Sequence, residues 1–152
     1  MVSFELVKEC DANILFDIAL RAFDDDYKLY GCIPPGIDSI DWHLEKIRDG
    51  LYYKIILDGK IIGGFKLFNC GKKHFQLGAI YIDPEFHNKG IGTQTIEFIE
   101  KTYFSVKKWT LDTPYKNYRN HHFYEKMGYK KTGEFKPDPK EDFCLFLYEK
   151  NI

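Results

Sequence analysis

The sequence lacks a strong charge of either sign and lacks any clustered cysteine pattern. Among 152 residues, 22 are Lys or Arg and 23 are Asp or Glu, which gives a formal net charge of −1. This balance predicts no nucleic-acid partner, although a local basic patch stays open. The four cysteines, Cys10, Cys32, Cys70 and Cys144, show neither the C-x-x-C spacing of a zinc site nor the density of a disulfide scaffold. We therefore expect free thiols buried in the core.

Long hydrophobic runs are also missing. No apolar stretch approaches the roughly 20 residues that span a bilayer, and Met1–Glu5 shows no basic region followed by an apolar run. The sequence therefore predicts a cytoplasmic protein with no membrane partner, folded as one domain over residues 1–152. Aromatic residues are abundant, at 17% of the chain, and they favour a bulky core and aromatic-lined pockets.

The first part of the chain alternates between strand and helix patterns. Residues 2–8 alternate as a strand does, and Asp11 is placed to cap a helix whose apolar residues recur at helical spacing through Phe23. Residues 24–36 read as an irregular connection. A second helix over about 39–48 is expected to turn Trp42 and Ile47 inward.

The remainder is richer in strands. Asp58-Gly59 joins strands over 51–57 and 60–68 and predicts a type I′ hairpin, because both central residues then need positive φ. Further strands are expected at about 75–82, 109–113, 129–135 and 142–149, with helices at about 92–104 and 117–127. This order predicts an α+β domain with a mixed, mostly antiparallel sheet of six to seven strands flanked by about four helices.

The most informative segment runs from Ile80 to Thr93, where a hydrophobic strand and a proline turn lead into a glycine-bearing loop that opens a helix. Unpartnered N–H groups at a helix start can hold a phosphate, and Gly90 and Gly92 let a bulky anion approach the backbone. Lys89 adds a positive charge. The segment is neither a G-x-x-x-x-G-K-[ST] loop nor a dinucleotide fingerprint, since Thr95 stands where a third glycine is required. A glycine turn that merely starts a helix stays an alternative.

The segment His87-Asn88-Lys89-Gly90-Ile91-Gly92 resembles the R/Q-x-x-G-x-G/A acetyl-CoA motif of the GNAT N-acetyltransferase superfamily, with His87 in place of the usual Gln or Arg. Residues 117–129, which include Phe123-Tyr124 and end at Gly128-Tyr129, are similar to the family's N-x-x-A-x-x-F-Y-x-x-x-G-F/Y helix. Here Asn120 replaces the usual alanine. The two motifs occur in the family's order and spacing.

The resemblance implies an N-acetyltransferase that moves an acetyl group directly from acetyl-CoA to a primary amine of a small molecule or peptide. It implies that Tyr124 protonates the departing thiolate, since a phenol is protonated at neutral pH. It also implies that the strand ending at Thr113 splays away to admit the pantetheine arm, and that Gly78 permits a bulge. The implied acetyl-CoA contacts are Ile80, Tyr81, Ile82, His87, Asn88, Lys89, Gly90, Ile91, Gly92, Thr93, Asn117 and Lys126.

The sequence does not identify a general base, because Gln76 stands where many relatives place a glutamate. His74, Asp112 and the Asp24–Asp26 run are conceivable, and a water relay would need no dedicated base. No metal is expected: His121 and His122 are adjacent on a helix and point about 100° apart. Two rival functions stay open, a non-catalytic acyl-CoA-binding or regulatory domain and a partner-binding protein with an aromatic surface.

The acceptor is expected against the two N-terminal helices, the connection near 24–38 and the loop near 136–142. Carboxylates and aromatic rings in these segments, such as Asp25, Tyr27 and Trp42, suit a cationic, partly apolar amine. The expected partner is thus a small-molecule or peptide amine. The final strand is also expected to allow a homodimer by pairing across two copies.

Overall fold

The computed structural model describes all residues, Met1–Ile152, and contains seven strands and five α-helices. The strands are β1 (Val2–Leu6), β2 (Tyr52–Leu57), β3 (Lys60–Asn69), β4 (His74–Ile82), β5 (Lys108–Pro114), β6 (Lys130–Phe135) and β7 (Leu145–Asn151). The helices are α1 (Ala12–Ala22), α2 (Asp24–Tyr30), α3 (Ile40–Asp49), α4 (Ile91–Thr102) and α5 (Tyr118–Lys126). Short 3₁₀ turns occupy Glu9–Asp11 and Pro84–Phe86. The predicted α+β class with a mixed sheet is confirmed, and none of the helices is long and apolar enough to cross a membrane.

The strands form one sheet in the order β1-β2-β3-β4-β5-β7-β6. β4 and β5 run parallel, whereas β1 with β2, β2 with β3, β5 with β7 and β6 with β7 are antiparallel. The parallel ladder joins only His74–Gln76 to Lys108–Thr110 and stops there, although both strands continue. This short ladder agrees with the expected splaying of β5. β7 is paired on both sides, so the expectation that this final strand pairs across a dimer is wrong; the sheet edges are β1 and β6.

The hairpin between β2 and β3 has the expected turn chemistry. Asp58 and Gly59 have φ values of 49° and 83°, so both central residues adopt the positive φ that a type I′ turn demands.

The chain divides into two compact units. The first comprises Met1–Leu67 and Ala79–Ile99. Its core contains Leu15 and Ile18 of α1 and the tyrosines Tyr52 and Tyr81, with Trp42 and Ile47 of α3 packed inward as predicted. The second comprises Phe68–Gly78 and Glu100–Ile152 and buries Trp109, Leu111, Tyr124, Tyr129 and Tyr148.

The segment expected to be irregular contains α2, so the sequence prediction missed a helix there. Three consecutive aspartates, Asp24 to Asp26, lie in its first turn, where negative charge is favoured by the helix dipole. Lys28 pairs with Asp24 at 2.9 Å, one turn earlier. Gly31 ends the helix with a φ of 70°, which satisfies the usual need for a left-handed residue after a helix.

Two further expectations are corrected. All four cysteines are free, but Cys10, Cys32 and Cys70 are exposed and only Cys144 is buried. Asp11 precedes α1 without capping it by its side chain. Its carboxylate instead accepts from the Lys8 N–H at 2.9 Å and from Lys54 Nζ at 2.7 Å, because the half-buried lysine on β2 offers a stronger, charged partner.

Candidate active site

The chain leaves β4 through a fixed turn. Asp83 is buried, accepts from the Glu85 N–H at 3.2 Å, and forms an ion pair with Arg21 of α1 at 2.8 Å. Burial alone would raise the pKa of Asp83, but the Arg21 and Glu85 contacts lower it below 3.8. The ionised carboxylate therefore holds the start of the following loop against α1.

The loop itself has the backbone of an anion-binding site. Asn88 and Gly90 adopt left-handed conformations with φ values of 61° and 75°. The N–H groups of residues 88–93 donate to no acceptor within the protein, and the Gln94 N–H is the next to donate, to the Gly90 carbonyl at 3.2 Å. Unpaired amides at the positive end of a helix dipole are a backbone arrangement that can bind a phosphate. Gly90 has no side chain to obstruct this surface, and a Cβ added there would have no atom within 4 Å.

His87 ties this loop to the strand before it. Its Nε2 lies 2.8 Å from the Ile82 carbonyl oxygen, and since a carbonyl only accepts, Nε2 carries the proton. The ring therefore acts on the loop by bonding to its own chain. The Nε2 proton of His87 is therefore not available to a pyrophosphate. The expected contact between His87 and acetyl-CoA stays a prediction for the other atoms of the ring.

The other expected residues of the loop divide between anchor and surface. Ile91 is buried and fixes the first turn of α4, whereas Lys89 is exposed, with Nζ 6.0 Å from the Phe86 ring centroid. Gly92 and Thr93 are half-buried. Ile91 thus anchors the helix start, while the charged side chain of Lys89 lies at the surface.

On β4, Tyr81 differs from its two neighbours. Ile80 and Ile82 are half-buried, but the Tyr81 side chain is buried in the core of the first unit. Only the backbone of Tyr81 is therefore suited to the expected acetyl-CoA contact. The bulge predicted at Gly78 stays a prediction. A Cβ added to Gly78 would lie 2.1 Å from the nearest atom of the Phe68 ring, so that ring occupies the space that a side chain would need.

Tyr124, the expected proton donor, has a buried ring and an unpaired hydroxyl. The ring packs edge-on against Tyr129 at 5.8 Å between centroids, and the hydroxyl makes no hydrogen bond within the protein. Burial, together with the nearby negative charge of Asp112, raises the pKa of Tyr124 far above its usual value. The phenol is thus fully protonated at neutral pH and free to donate to a ligand.

The two asparagines at the start of α5 have structural partners. Asn117 accepts from the Asn120 N–H at 3.1 Å and so caps the helix. The Asn120 amide donates to Thr113 Oγ1 of β5 at 3.3 Å. The asparagine that replaces the family's usual alanine is therefore hydrogen-bonded to the neighbouring strand. Lys126 is exposed in the last turn.

Two of the conceivable bases meet in the second unit. His74 and Asp112 line one cleft of about 250 Å³, together with Gln76 and Thr110. His74 Nε2 lies 2.7 Å from Thr110 Oγ1, and partial desolvation raises the pKa of Asp112 although this residue is exposed at the surface. Asp24 to Asp26 lie instead on α2, where burial and the neighbouring Asp25 raise the pKa of Asp26.

One polar cluster was not predicted from the sequence; it is formed by His43, Tyr52 and Tyr81. His43 is completely buried and hydrogen-bonds to Tyr52, which bonds to Tyr81. The three residues come from α3, β2 and β4, so no spacing in the sequence brings them together. The pair Gly63-Gly64 inside an otherwise hydrophobic strand was the one available signal that something approaches β3 closely.

Comparison with known proteins gives the class of the chain. The profile of the acetyltransferase (GNAT) family matches residues 15–129. The chain is 30% identical over 144 residues to S-(2-succino)cysteine N-acetyltransferase of Bacillus subtilis, which covers 86% of each chain. It is 38% identical over 79 residues to the uncharacterized protein YrkN of the same organism, and that match spans 51% of this chain and 43% of YrkN.

The fold agrees with that class. The structure of PaiA N-acetyltransferase from Thermoplasma acidophilum, in complex with coenzyme A, matches with a TM-score of 0.81 over 100% of this chain and 99% of that one, at 20% identity. The chain therefore belongs to the GNAT acetyltransferase family, whose members are CoA-dependent N-acyltransferases.

Proposed function

We propose that the protein transfers an acetyl group from acetyl-CoA to a primary amine of a small molecule or peptide. The observation that carries the proposal is the run of unpaired N–H groups over residues 88–93 at the start of α4, with left-handed residues at Asn88 and Gly90. When bound, acetyl-CoA supplies the acetyl group as a thioester. The chain has to bind it, orient the amine and move the protons.

Each expected residue then has a role. The backbone of Lys89 to Thr93 would hold the pyrophosphate, with His87 keeping the loop in shape and Lys89 adding charge. The backbone of β4 at Ile80 and Ile82 would pair with the pantetheine. Asn117 and Lys126 are proposed as further contacts from α5, and the exposure of Lys126 is compatible with that role.

Tyr124 would donate its proton to the departing sulfur. Its unpaired hydroxyl and raised pKa support this role, because a protonated phenol with no other partner is ready to donate. The test is Tyr124→Phe, with Tyr118→Phe on the exposed side of the same helix as the matched control. We expect kcat to fall about 100-fold or more for Tyr124→Phe while acetyl-CoA affinity is retained. An unchanged kcat would remove Tyr124 from the acid role.

The acceptor class is proposed from two separate observations. The acidic first turn of α2 favours a cationic amine, in line with the acceptor expected from the sequence. The 30% identical relative carries the name of an enzyme that acetylates S-(2-succino)cysteine, which favours an S-substituted amino acid. A panel of polyamines, amino acids, S-(2-succino)cysteine and peptide N-termini, read by thiol release, decides between them.

The function is tested in two stages. Calorimetry with acetyl-CoA should show binding, and no binding would favour the partner-binding alternative. Thiol release with the amine panel should then show turnover. Tight binding without turnover on every amine would instead favour a non-catalytic acyl-CoA-binding domain.

Three accompanying proposals concern the setting. Exposed free thiols at Cys10, Cys32 and Cys70 suit a reducing compartment, so we place the protein in the cytoplasm. The family match over residues 15–129 supports one acetyltransferase domain over residues 1–152. A homodimer would form through a surface other than β7, and its presence is measurable by light scattering.

A further inference from the structure

An open cleft of about 250 Å³ lies on one face of the sheet within the second unit. Adjacent strands supply its polar side chains, β4 through His74 and Gln76, and β5 through Thr110 and Asp112. These residues are two apart on each strand, so they point to the same face of the sheet. Leu147 of β7 adds an apolar wall. Sites for whole ligands run to roughly 300–1,000 Å³, so this cleft suits one end of a molecule, such as an alkylamine.

The cleft lies where β4 and β5 part. The two strands are paired from His74–Lys108 to Gln76–Thr110, and the ladder ends there. Asp112 is two residues beyond the last pair, whereas His74 belongs to the first pair. At about 3.3 Å per residue, roughly 13 Å of strand separates the levels of these two side chains. Asp112 is therefore the group at the open end, where the parted strands leave room for a reacting thioester.

The Asp112 carboxylate differs from the nearest carboxylate on the same face. Glu149 lies opposite Thr110 on β7 and pairs with Lys108 at 3.6 Å. Asp112 makes neither an ion pair nor a hydrogen bond within the protein, and partial desolvation raises its pKa. Its negative charge acts on Tyr124 of the same unit, the proposed proton donor. An unpaired proton acceptor and an unpaired proton donor are thus within electrostatic reach of each other.

We propose that the cleft receives the acceptor amine and that the Asp112 carboxylate accepts the proton that this amine loses. The inference rests on the proposed function, because it assigns a residue to the amine of that reaction. It concerns the reacting nitrogen alone, so the acceptor class stays as proposed above. With a carboxylate on β5, none is needed on β4, which accounts for the presence of Gln76.

The transfer balances in bonds and protons. The amine enters the cleft as the neutral base, after its ammonium proton has passed to water. A bond forms from its nitrogen to the acetyl carbon, and the C–S bond breaks with its electron pair going to sulfur. One N–H bond breaks as an O–H bond forms at Asp112, while Tyr124 gives its proton to the sulfur. The Asp112 carboxylic acid is a stronger acid than a phenol, so its proton then passes through water to the Tyr124 phenolate and both residues are restored.

The first test locates the amine without any turnover. Cys70 is an exposed free thiol that lines the cleft. In a Cys10→Ser/Cys32→Ser background it is the one exposed thiol, because Cys144 is buried. The probes are spermidine and S-(2-succino)cysteine, added separately to the complex with desulfo-coenzyme A, which has neither a thiol nor an acetyl group. The readout is the rate at which N-ethylmaleimide labels Cys70.

The probe that the parent protein acetylates should protect Cys70. At about ten times its dissociation constant it should slow labelling about ten-fold, since it leaves only about a tenth of the clefts empty. The matched control is Cys10 in a Cys32→Ser/Cys70→Ser background, because Cys10 is also exposed but belongs to the first unit. Its labelling should not change. Unprotected Cys70 in the presence of an amine that the parent acetylates would overturn the placement of the acceptor.

The second test uses variants in the thiol-release assay. We expect Asp112→Asn to lower kcat about 100-fold or more, while the KM for the amine changes by less than about three-fold and acetyl-CoA affinity is retained. Glu149→Gln is the matched control and should keep its kcat, because that carboxylate is on the same face but outside the cleft. Asp112→Ala should recover part of its rate when formate is added, since a free carboxylate can then take the proton.

The outcomes separate this inference from the function on which it rests. A parent protein that turns over no amine would sink the proposed function and the role of Asp112 together. An active parent whose Asp112→Asn variant keeps its kcat would sink only the inference. A raised KM for the amine with an unchanged kcat would also overturn it, because a carboxylate that merely attracts a cation gives that result.

Discussion

Replacing Gly90 by alanine separates the conformation of the cofactor loop from its packing. Gly90 has a φ of 75°, and a Cβ added there would touch nothing within 4 Å. The added methyl group therefore creates no clash, and the whole cost is that of a left-handed conformation for a residue with a Cβ, about 1–2 kcal/mol. The loop can either keep this strain or relax and lose its array of unpaired N–H groups.

Only the second route lowers acetyl-CoA affinity, because strain that is present in both the free and the bound protein cancels from the free energy of binding. A loop that relaxes in the free protein must regain the strained conformation on binding, so the same 1–2 kcal/mol becomes a Kd about 5–30-fold higher. Calorimetric titration with acetyl-CoA measures it directly. The melting temperature should fall by about 2–8 °C if the free loop keeps the strain, and less if it relaxes.

Gly59→Ala is the matched control. Gly59 has a φ of 83°, also with nothing within 4 Å of its Cβ position, but it lies in the hairpin between β2 and β3. We expect a similar loss of stability with acetyl-CoA affinity unchanged. Parent-like affinity together with a parent-like melting temperature in Gly90→Ala would refute the reasoning that the left-handed conformation is strained there, and equal weakening of binding in both variants would point to general destabilisation.

Two further predictions concern the ion pairs of the first unit. Lys54→Met should lower the free energy of unfolding by about 3–5 kcal/mol in urea titrations, because it leaves the buried Asp11 carboxylate without its cation. The double variant Lys54→Met/Asp11→Asn removes that charge as well and should recover part of the loss. A double variant no more stable than the single variant would contradict this. Burial alone would raise the pKa values of Asp11 and Asp83, but the Lys54 and Arg21 contacts lower both pKa values below 3.8. The two ionised carboxylates therefore stabilise the folded state above pH 3.8, and this stability is lost as the pH falls through their folded-state pKa values. Urea titrations at pH 6, 4 and 3 should show a steeper decline for the parent than for Asp83→Asn, and equal slopes would refute the assignment.

Much of the fold could be read from local sequence because its signals are local. Asp58-Gly59 specifies its hairpin through backbone conformation alone, and Gly128 has the positive φ, 96°, expected after a helix end. The helix over Asp24–Tyr30 was missed because its seven residues present no buried apolar face. Its stability comes from aspartates at the helix start and a glycine at its end, features that also occur in loops.

The site was only partly predictable for a different reason. The loop at Gly90 is a contiguous segment, so its chemistry is visible in one stretch of sequence. The bond from His87 to the Ile82 carbonyl and the bond from Asn120 to Thr113 depend on how an element folds back on a neighbour. His43 bonds to Tyr52, 9 positions further along the chain, and Tyr52 bonds to Tyr81, another 29 positions on, so only tertiary structure brings these three residues together.

The sheet edge at β6 has a consequence for the behaviour of the protein at high concentration. An unpaired edge strand is a template on which another chain can add a strand, and proteins resist this with lysines and irregular register. β6 has both, since it begins with Lys130-Lys131 and its pairing with β7 shifts register between Lys131 and Gly133. This edge is therefore protected against strand addition, and neutralising its two lysines should lower the concentration at which the protein begins to aggregate.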